Sequence, residues 1–372
     1  MRAAVARALR GDVPLLSAQP FDPDTPFWQA AGEHGVHLIL ADLARSNGAM
    51  REWPDEARVL VRRATADAAA ADSLRQAGLR LVLDRLGAAG VPCLLMKGAA
   101  LAYTLYAQPH LRPRRDTDIL IRPGDASRAQ ALLDEAGYAR AVETSGDLAS
   151  FQFHVDRRGA AGTLHALDVH WRIANPQLFA HSLRFEDLDA AHVPVPALGP
   201  HARALSAPHA LMLACVHREA HHPGSDRLVW LWDVHQLAAS LRDRDADVFI
   251  AVASKASMRA ICAHTLESAA SCFDGDAARR LLARVQPEAG APAEASARFL
   301  GGDLRLVDIL RADLGQLGMR HGATLLREHL FPPAAYLRAI YPRWPAALIP
   351  AAYLHRIVRG APKWFRRPAA HD

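Results

Sequence analysis

Two aspartates separated by one residue, Asp116-Thr117-Asp118, open a short apolar run, Ile119-Leu120-Ile121. Side chains alternate faces along a strand, so Asp116 and Asp118 project from one side with Cα atoms roughly 6–7 Å apart. Like charges that close repel unless a cation lies between them, and no basic residue separates these two. The pair therefore reads as a divalent-metal site, and hard oxygen donors favour Mg²⁺ or Mn²⁺. Taken alone, such a pair reads more readily as two solvated residues at a turn, and its surroundings tip the balance. Upstream, the apolar run Cys93 to Met96 stops at Lys97-Gly98. Gly98 lets the backbone come close to a phosphate, and Lys97 supplies a point charge.

These groups need strands and helices to hold them. An Ala/Leu/Tyr-rich helical segment follows Gly98, and a Pro- and Arg-rich turn with Arg112, Arg114 and Arg115 delivers the chain into Asp116. Asp125 and Ser127 are candidate caps for the next helix, which carries Ala129, Leu132, Leu133 and Ala136 at helical spacing and stops at Gly137. Phe151 to Val155 alternates, 158–162 is a turn, and Leu164 to Ile173 runs back. The pattern predicts a β-hairpin extending the sheet, with Asp168 and His170 on one face and Trp171 on the other.

In this order the segments resemble the nucleotidyltransferase superfamily with the DNA-polymerase-β-like fold. The closer likeness is to the bacterial family labelled uncharacterised nucleotidyltransferase. The residues that carry it are LLMKGAAL at 94–101, Arg112, DTDILI at 116–121, LLDEAGY at 132–138 and the run Leu167-Asp168-Val169-His170-Trp171-Arg172. The resemblance implies an α+β fold: a small mixed β-sheet core flanked by N- and C-terminal helical regions. It implies a third metal-binding carboxylate, Asp168, beside Asp116 and Asp118. It also implies transfer of a nucleoside monophosphate from an NTP to an acceptor hydroxyl, with pyrophosphate released and two Mg²⁺ (or Mn²⁺) ions held by the three carboxylates. Lys97, Gly98 and Arg112 become the nucleotide-binding candidates, followed by Arg114, Arg115 and Arg227. One departure stands out: the superfamily's phosphate turn carries Gly-Ser, and here Ala99 follows Gly98. A non-catalytic nucleotide- or partner-binding module on the same fold is the alternative. The missing serine favours it, and the three retained carboxylates disfavour it.

Helical patterns flank this core, giving an expected division into 1–90, 91–196 and 197–372. His34 to Leu43 and Asp55 to Leu86 have apolar residues at helical spacing, and Ala-Gly-Val-Pro at 89–92 ends that stretch. The Pro-rich run 185–200 reads as a linker leaving the sheet. Beyond it, Ala210 to Ala220 forms a helix, a loop spans 222–225, and a second helix starts near Asp226. Arg227, Trp230 and Asp233 can share a face of that helix, either over a nucleotide with Arg227 on phosphate or as an Arg–Asp pair between helices. His217, His221 and His222 lack the H-E-x-x-H arrangement of zinc proteases. Residues 274–303 read as loop-containing and 304–330 as one or two helices. The tail is basic and amphipathic, a pattern that packs on its own domain or lies on an anionic membrane surface.

Composition sets the outer limits. With 51% hydrophobic and 22% charged residues over 372 positions, the chain has material for several packed cores. Its net charge of +5 suits a nucleotide without demanding nucleic acid. The four scattered cysteines lack metal-ligand spacing and suggest a reducing, cytoplasmic setting. No apolar run reaches the ~20 residues a bilayer span needs, and no signal peptide is legible. The phosphate loop G-x-x-x-x-G-K-[ST] and the dinucleotide fingerprint G-x-G-x-x-G are both missing. The acceptor, the preferred base and the oligomeric state leave no mark on the sequence.

Overall fold

Apolar residues alternate on both faces of the central strands, so the sheet is covered on both sides. In the computed structural model, the residues described are 1–141, 146, 148–159, 162–221, 227–287, 292–300 and 304–366, with the side chain of His221 left out. The strands are β1 (Cys93–Leu95), β2 (Thr117–Ile121), β3 (Ala139–Arg140), β4 (Gln152–Arg158), β5 (Leu164–His170), β6 (Val193–Pro194) and β7 (Arg203–Ala204). They form one mixed sheet in the order β3-β4-β5-β2-β1-β7-β6. β2 lies antiparallel to β1 and parallel to β5. With helices on both sides, the chain has the expected α+β class.

Four short helices lead in: α1 (Arg2–Leu9), α2 (Val13–Ser17), α3 (Pro26–Glu33) and α4 (His37–Ser46). A single long helix follows, α5 (Asp55–Ala88), uninterrupted at Gly78. A side chain at Gly78 would put its Cβ 3.0 Å from His165 Nδ1, so the glycine is where β5 comes close to the helix. α5 ends when Gly90 takes a left-handed φ of 70°, with Gly90 N–H bonded to Gly87 O and Val91 N–H to Leu86 O. That reversal satisfies the last carbonyls and sends Val91 into β1.

Helix α6 (Lys97–Thr104) crosses from β1 towards β2, and α7 (Ala126–Glu135) packs behind the sheet. α7 ends in the same way at Gly137, φ 81°, with Tyr138 N–H on Leu133 O. Its start differs from expectation: Asp125 occupies the cap position without a side-chain capping bond, because its backbone is already helical after a 3₁₀ turn. The β4–β5 hairpin is present, and residues 160 and 161 of its turn lie outside the described residues.

After α8 (Gln177–Ala180) and α9 (Phe185–Ala190), the Pro-rich run overturns the linker expectation. It does not leave the sheet. Strand β6 within it pairs with β7 just beyond it, and Ala204 of β7 pairs in parallel with Leu95 of β1. Proline is tolerated there because β6 is an edge strand with one unpaired side. The remaining helices are α10 (Ala207–His221), α11 (Leu228–Ser240), α12 (Asp243–Lys255), α13 (Arg259–Phe273), α14 (Asp276–Val285), α15 (Leu306–Gln316), α16 (Met319–Leu330), α17 (Ala334–Ile340) and α18 (Ile349–Phe365). The expected loop 222–225, Asp226, and parts of 274–303 lie outside the described residues. Asp313 of α15 accepts from Gln177 N–H (2.7 Å), and Glu328 of α16 accepts from Leu148 and Ala149 N–H (3.0 and 2.8 Å).

Two apolar layers sandwich the sheet. One joins Leu79, Val82, Leu83 and Leu86 of α5 to Cys93, Leu95, Ile119, Ile121, Leu167 and Val169. The other joins Leu94, Met96 and Leu120 to helices α1–α4 and α10–α14. Asp118, Asp168 and His170 alternate with the first set, so they face the second layer, beneath α6, α10 and α11.

Candidate active site

The register of β2 and β5 decides the site. Asp118 stands opposite Asp168 in the parallel pair, and Asp168 stands opposite His154 in the antiparallel one. A slip of one residue would turn Asp168 into the apolar layer behind. The three residues therefore share a face, and Asp168 Oδ1 lies 2.6 Å from His154 Nδ1. Asp118, buried at the head of β2, receives two groups on Oδ1: Lys97 Nζ at 2.7 Å and His170 Nε2 at 3.0 Å. Asp116, just before the strand, is half-buried at the rim.

The electrostatics follow from burial and neighbours. Burial alone would raise the Asp118 carboxyl, but Lys97 and His170 overcome it and hold the group well below the usual carboxylate range. Asp116 moves the other way, raised first by burial and then by the charges of Asp118 and Asp168. Burial, with Lys97 nearby, pushes His170 down despite Asp118, so its imidazole is held neutral. Asp118, Asp168 and His170 each offer one ligand atom, all within 4.8 Å of one another. Asp116 is outside that group. Two carboxylates and a neutral imidazole nitrogen fit a divalent ion, and the Lys97 ammonium supplies positive charge at the same carboxylate.

A cleft of about 510 Å³ opens over these groups. Lys97, Gly98, Arg112, Asp116, Asp118, Asp168 and Arg227 all line it, as do Arg114, Arg115, His217, Trp230 and Asp233. The N-terminus of α6 faces the cleft. Lys97 there adopts a left-handed φ of 50°, the tight turn needed to pass from β1 directly into a helix. A Cβ on Gly98 would lie 3.4 Å from the Arg112 guanidinium, the near limit of ordinary contact.

The arginines divide by partner. Arg112 is buried and paired with Asp233 through Nε (2.9 Å) and Nη2 (2.7 Å), with Nη1 on Pro113 O. Tyr106 donates its hydroxyl to the same aspartate at 2.6 Å. The partner of Asp233 is thus Arg112 of the turn before β2, rather than Arg227 of its own helix. Arg114 is held by Asp72 of α5 at 2.6 Å, which fixes the turn leading into Asp116. Arg227 precedes the first residue of α11 and lies over the Trp230 ring, 5.6 Å from its centre. Its buried Nε has no hydrogen-bond partner among the described residues. Burial, then repulsion from Arg112 and Arg115, lowers its affinity for its own proton. Such a group is served by an anion.

Two contributors escaped sequence reasoning. His154 lies in a strand whose alternation was legible, yet nothing local says that it meets Asp168. Tyr106 lies in a segment legible only as helical. Of the three histidines weighed for zinc, His217 packs edge-on against Trp230, while the His221 side chain and His222 lie outside the described residues.

The model of a protein family described as uncharacterised nucleotidyltransferase matches residues 20–274. No curated protein matches the chain.

Proposed function

The chain belongs to the uncharacterised nucleotidyltransferase family, and on that premise we propose that it transfers a nucleoside monophosphate from an NTP to an acceptor hydroxyl. The observation that carries this reading is the facing pair Asp118 and Asp168 on neighbouring parallel strands, beneath a cleft with cationic groups on its far wall.

Asp118 and Asp168, joined by Asp116, would hold two Mg²⁺ or Mn²⁺ ions, which would supply charge to neutralise phosphate oxygens and acidify the acceptor hydroxyl. The triphosphate lies between the first turn of α6 and Arg227. The free N–H groups of Gly98 and Ala99 face its outer phosphates, a helix N-terminus being favourable to anions even without the serine. Lys97 exchanges the Asp118 carboxylate for phosphate. The acceptor oxygen bonds to the α-phosphorus, the bond to the β-bridging oxygen breaks, and pyrophosphate leaves. The hydroxyl proton passes to Asp168 Oδ2, while His154 orients the carboxylate through Oδ1. Arg112 positions the turn through Asp233.

Cys93, Cys215 and Cys262 are buried free thiols, which supports a reducing, cytoplasmic setting.

The test is transfer of α-phosphate label from each of the four NTPs into host-cell lysate with Mg²⁺ or Mn²⁺. Wild type and Asp118→Asn run side by side. Label only with wild type supports the proposal, and fractionation of it names the acceptor class. Metal-dependent NTP binding without label in either lane would replace it with the non-catalytic binding module. Neither transfer nor binding would remove the nucleotide altogether.

A further inference from the structure

The charge of this chain is not spread evenly. Of its 44 basic and 39 acidic residues, seven basic and one acidic lie in 331–372, leaving 37 against 38 over the first 330 positions. The whole positive surplus therefore sits in the last ninth or so of the sequence, far along the chain from the cleft, which no described residue beyond Asp233 lines.

Helix α18 organises this segment and uses only one side to hold on. Ile349 and Ala352 are buried with Leu337, and Tyr353 packs against them. The Tyr353 hydroxyl donates to Pro332 O at 2.7 Å, Arg356 to His329 O at 2.8 Å, and Trp364 meets His329 edge-on. On the opposite side, Leu354, Val358 and Phe365 recur at helical spacing and are 64%, 65% and 62% exposed. At about 100° per residue, Arg359 and Arg366 flank this stripe on one side and Lys363 lies further round towards the anchored face; all three are exposed, as are Arg338 and Arg343. Among the described residues, none of these five has a carboxylate partner. A helix anchored by one face leaves the other for something else.

We propose that this outer face of α18 docks the protein on an anionic membrane surface. Leu354, Val358 and Phe365 enter the headgroup–acyl boundary, Arg359 and Arg366 beside them meet lipid phosphates, and Lys363 adds to the attraction from further round the helix. An amphipathic helix with apolar residues beside basic ones lies in the interface plane, drawn by both terms together. No helix among the described residues is long and apolar enough to cross a membrane, so contact through α18 is peripheral. A second copy of the chain is the poorer occupant. Pairing two such faces would bring two unpaired basic borders together, at a cost that an anionic lipid surface turns into attraction.

The full-length protein is mixed with phosphatidylcholine vesicles and with vesicles containing phosphatidylglycerol, then separated by flotation. Binding to the anionic vesicles and not the neutral ones is expected. It should fall roughly tenfold or more at about 0.5 M salt, in Leu354→Glu/Val358→Glu and in Arg359→Glu/Lys363→Glu. These side chains are exposed, so thermal unfolding of both variants should match wild type. Leu81→Glu, at a leucine of α5 that is 49% exposed, should bind as wild type does. No flotation, equal flotation with neutral lipid, or equal loss in Leu81→Glu would overturn the proposal. So would a vesicle-free dimer, seen by light scattering, that Leu354→Glu/Val358→Glu dissolves.

Discussion

Arg112 and Asp233, separated by 121 positions, form a buried ion pair with bonds from both Nε and Nη2, and this pair ties α11 to the turn that delivers the chain into β2. Burial would weaken the Arg112 cation, but Asp233 more than compensates and raises its hold on the proton. Such a pair contributes less to net stability than its geometry suggests, because both ions were stripped of water to form it. Its rupture is another matter. Asp233→Leu should cost about 3–5 kcal/mol, since it strands a buried guanidinium and removes the acceptor of Tyr106. Arg112→Met/Asp233→Leu should cost distinctly less than the sum of the single changes. Urea midpoints for the four proteins of this cycle give the answer.

Lys97 competes for the carboxylate that an ion would use. Removing its charge in Lys97→Met should tighten Mn²⁺ binding roughly tenfold, because a cation 2.7 Å from Asp118 Oδ1 no longer repels the incoming one. The same change should lower nucleotidyl transfer by a hundredfold or so through loss of a phosphate contact. Mn²⁺ titration followed by electron paramagnetic resonance reads the first effect without any turnover. Unchanged affinity would mean that the ion does not meet Asp118.

His165 sets a pH dependence of stability. Burial, with Arg157, Arg75 and Arg114 behind it, pushes the imidazole down to about 4 from an ordinary 6.5. Its Nδ1 faces the Tyr138 hydroxyl, and Nε2 has no hydrogen-bond partner among the described residues. Below pH 6.5 the unfolded chain takes up a proton that the folded chain refuses. Stability from this group is therefore complete above pH 6.5 and declines as the pH falls towards 4, by on the order of 3 kcal/mol in all. Chemical denaturation of wild type and His165→Gln between pH 7 and 4.5 should show a steeper decline for wild type.

Gly35 adopts a left-handed φ of 71°, and a Cβ there would lie 3.2 Å from Arg227 Nη2 and 3.3 Å from Val229 Cγ1. Gly35→Ala should cost about 1–2 kcal/mol from backbone strain alone. It should also displace Arg227 and weaken NTP binding more than metal binding. Calorimetric titration with each ligand separates the two; equal weakening would place Arg227 away from the triphosphate.

Much of the fold was legible because its signals are local. Gly90 and Gly137 end helices in the conformation that their lack of a side chain permits. Asp116 and Asp118 both line the cleft, although the ligand atoms that cluster are those of Asp118, Asp168 and His170, and the alternation of Phe151 to Val155 against Leu164 to Ile173 described the hairpin that β4 and β5 form. The Pro-rich run misled, because proline excludes central strands but not the edge position that β6 occupies.

By itself, the sequence determined which residues can carry charge, where helices stop, and which side chains share a face of one element; each depends on the chain within a few residues of itself. Only the tertiary structure decided that Asp233 belongs to Arg112, that His154 meets Asp168, that Asp72 holds Arg114, and that β7 returns to β1. Those contacts join positions far apart in the chain. They are chosen by register and by the demand that every buried charge find a partner, and neither condition can be read from local spacing.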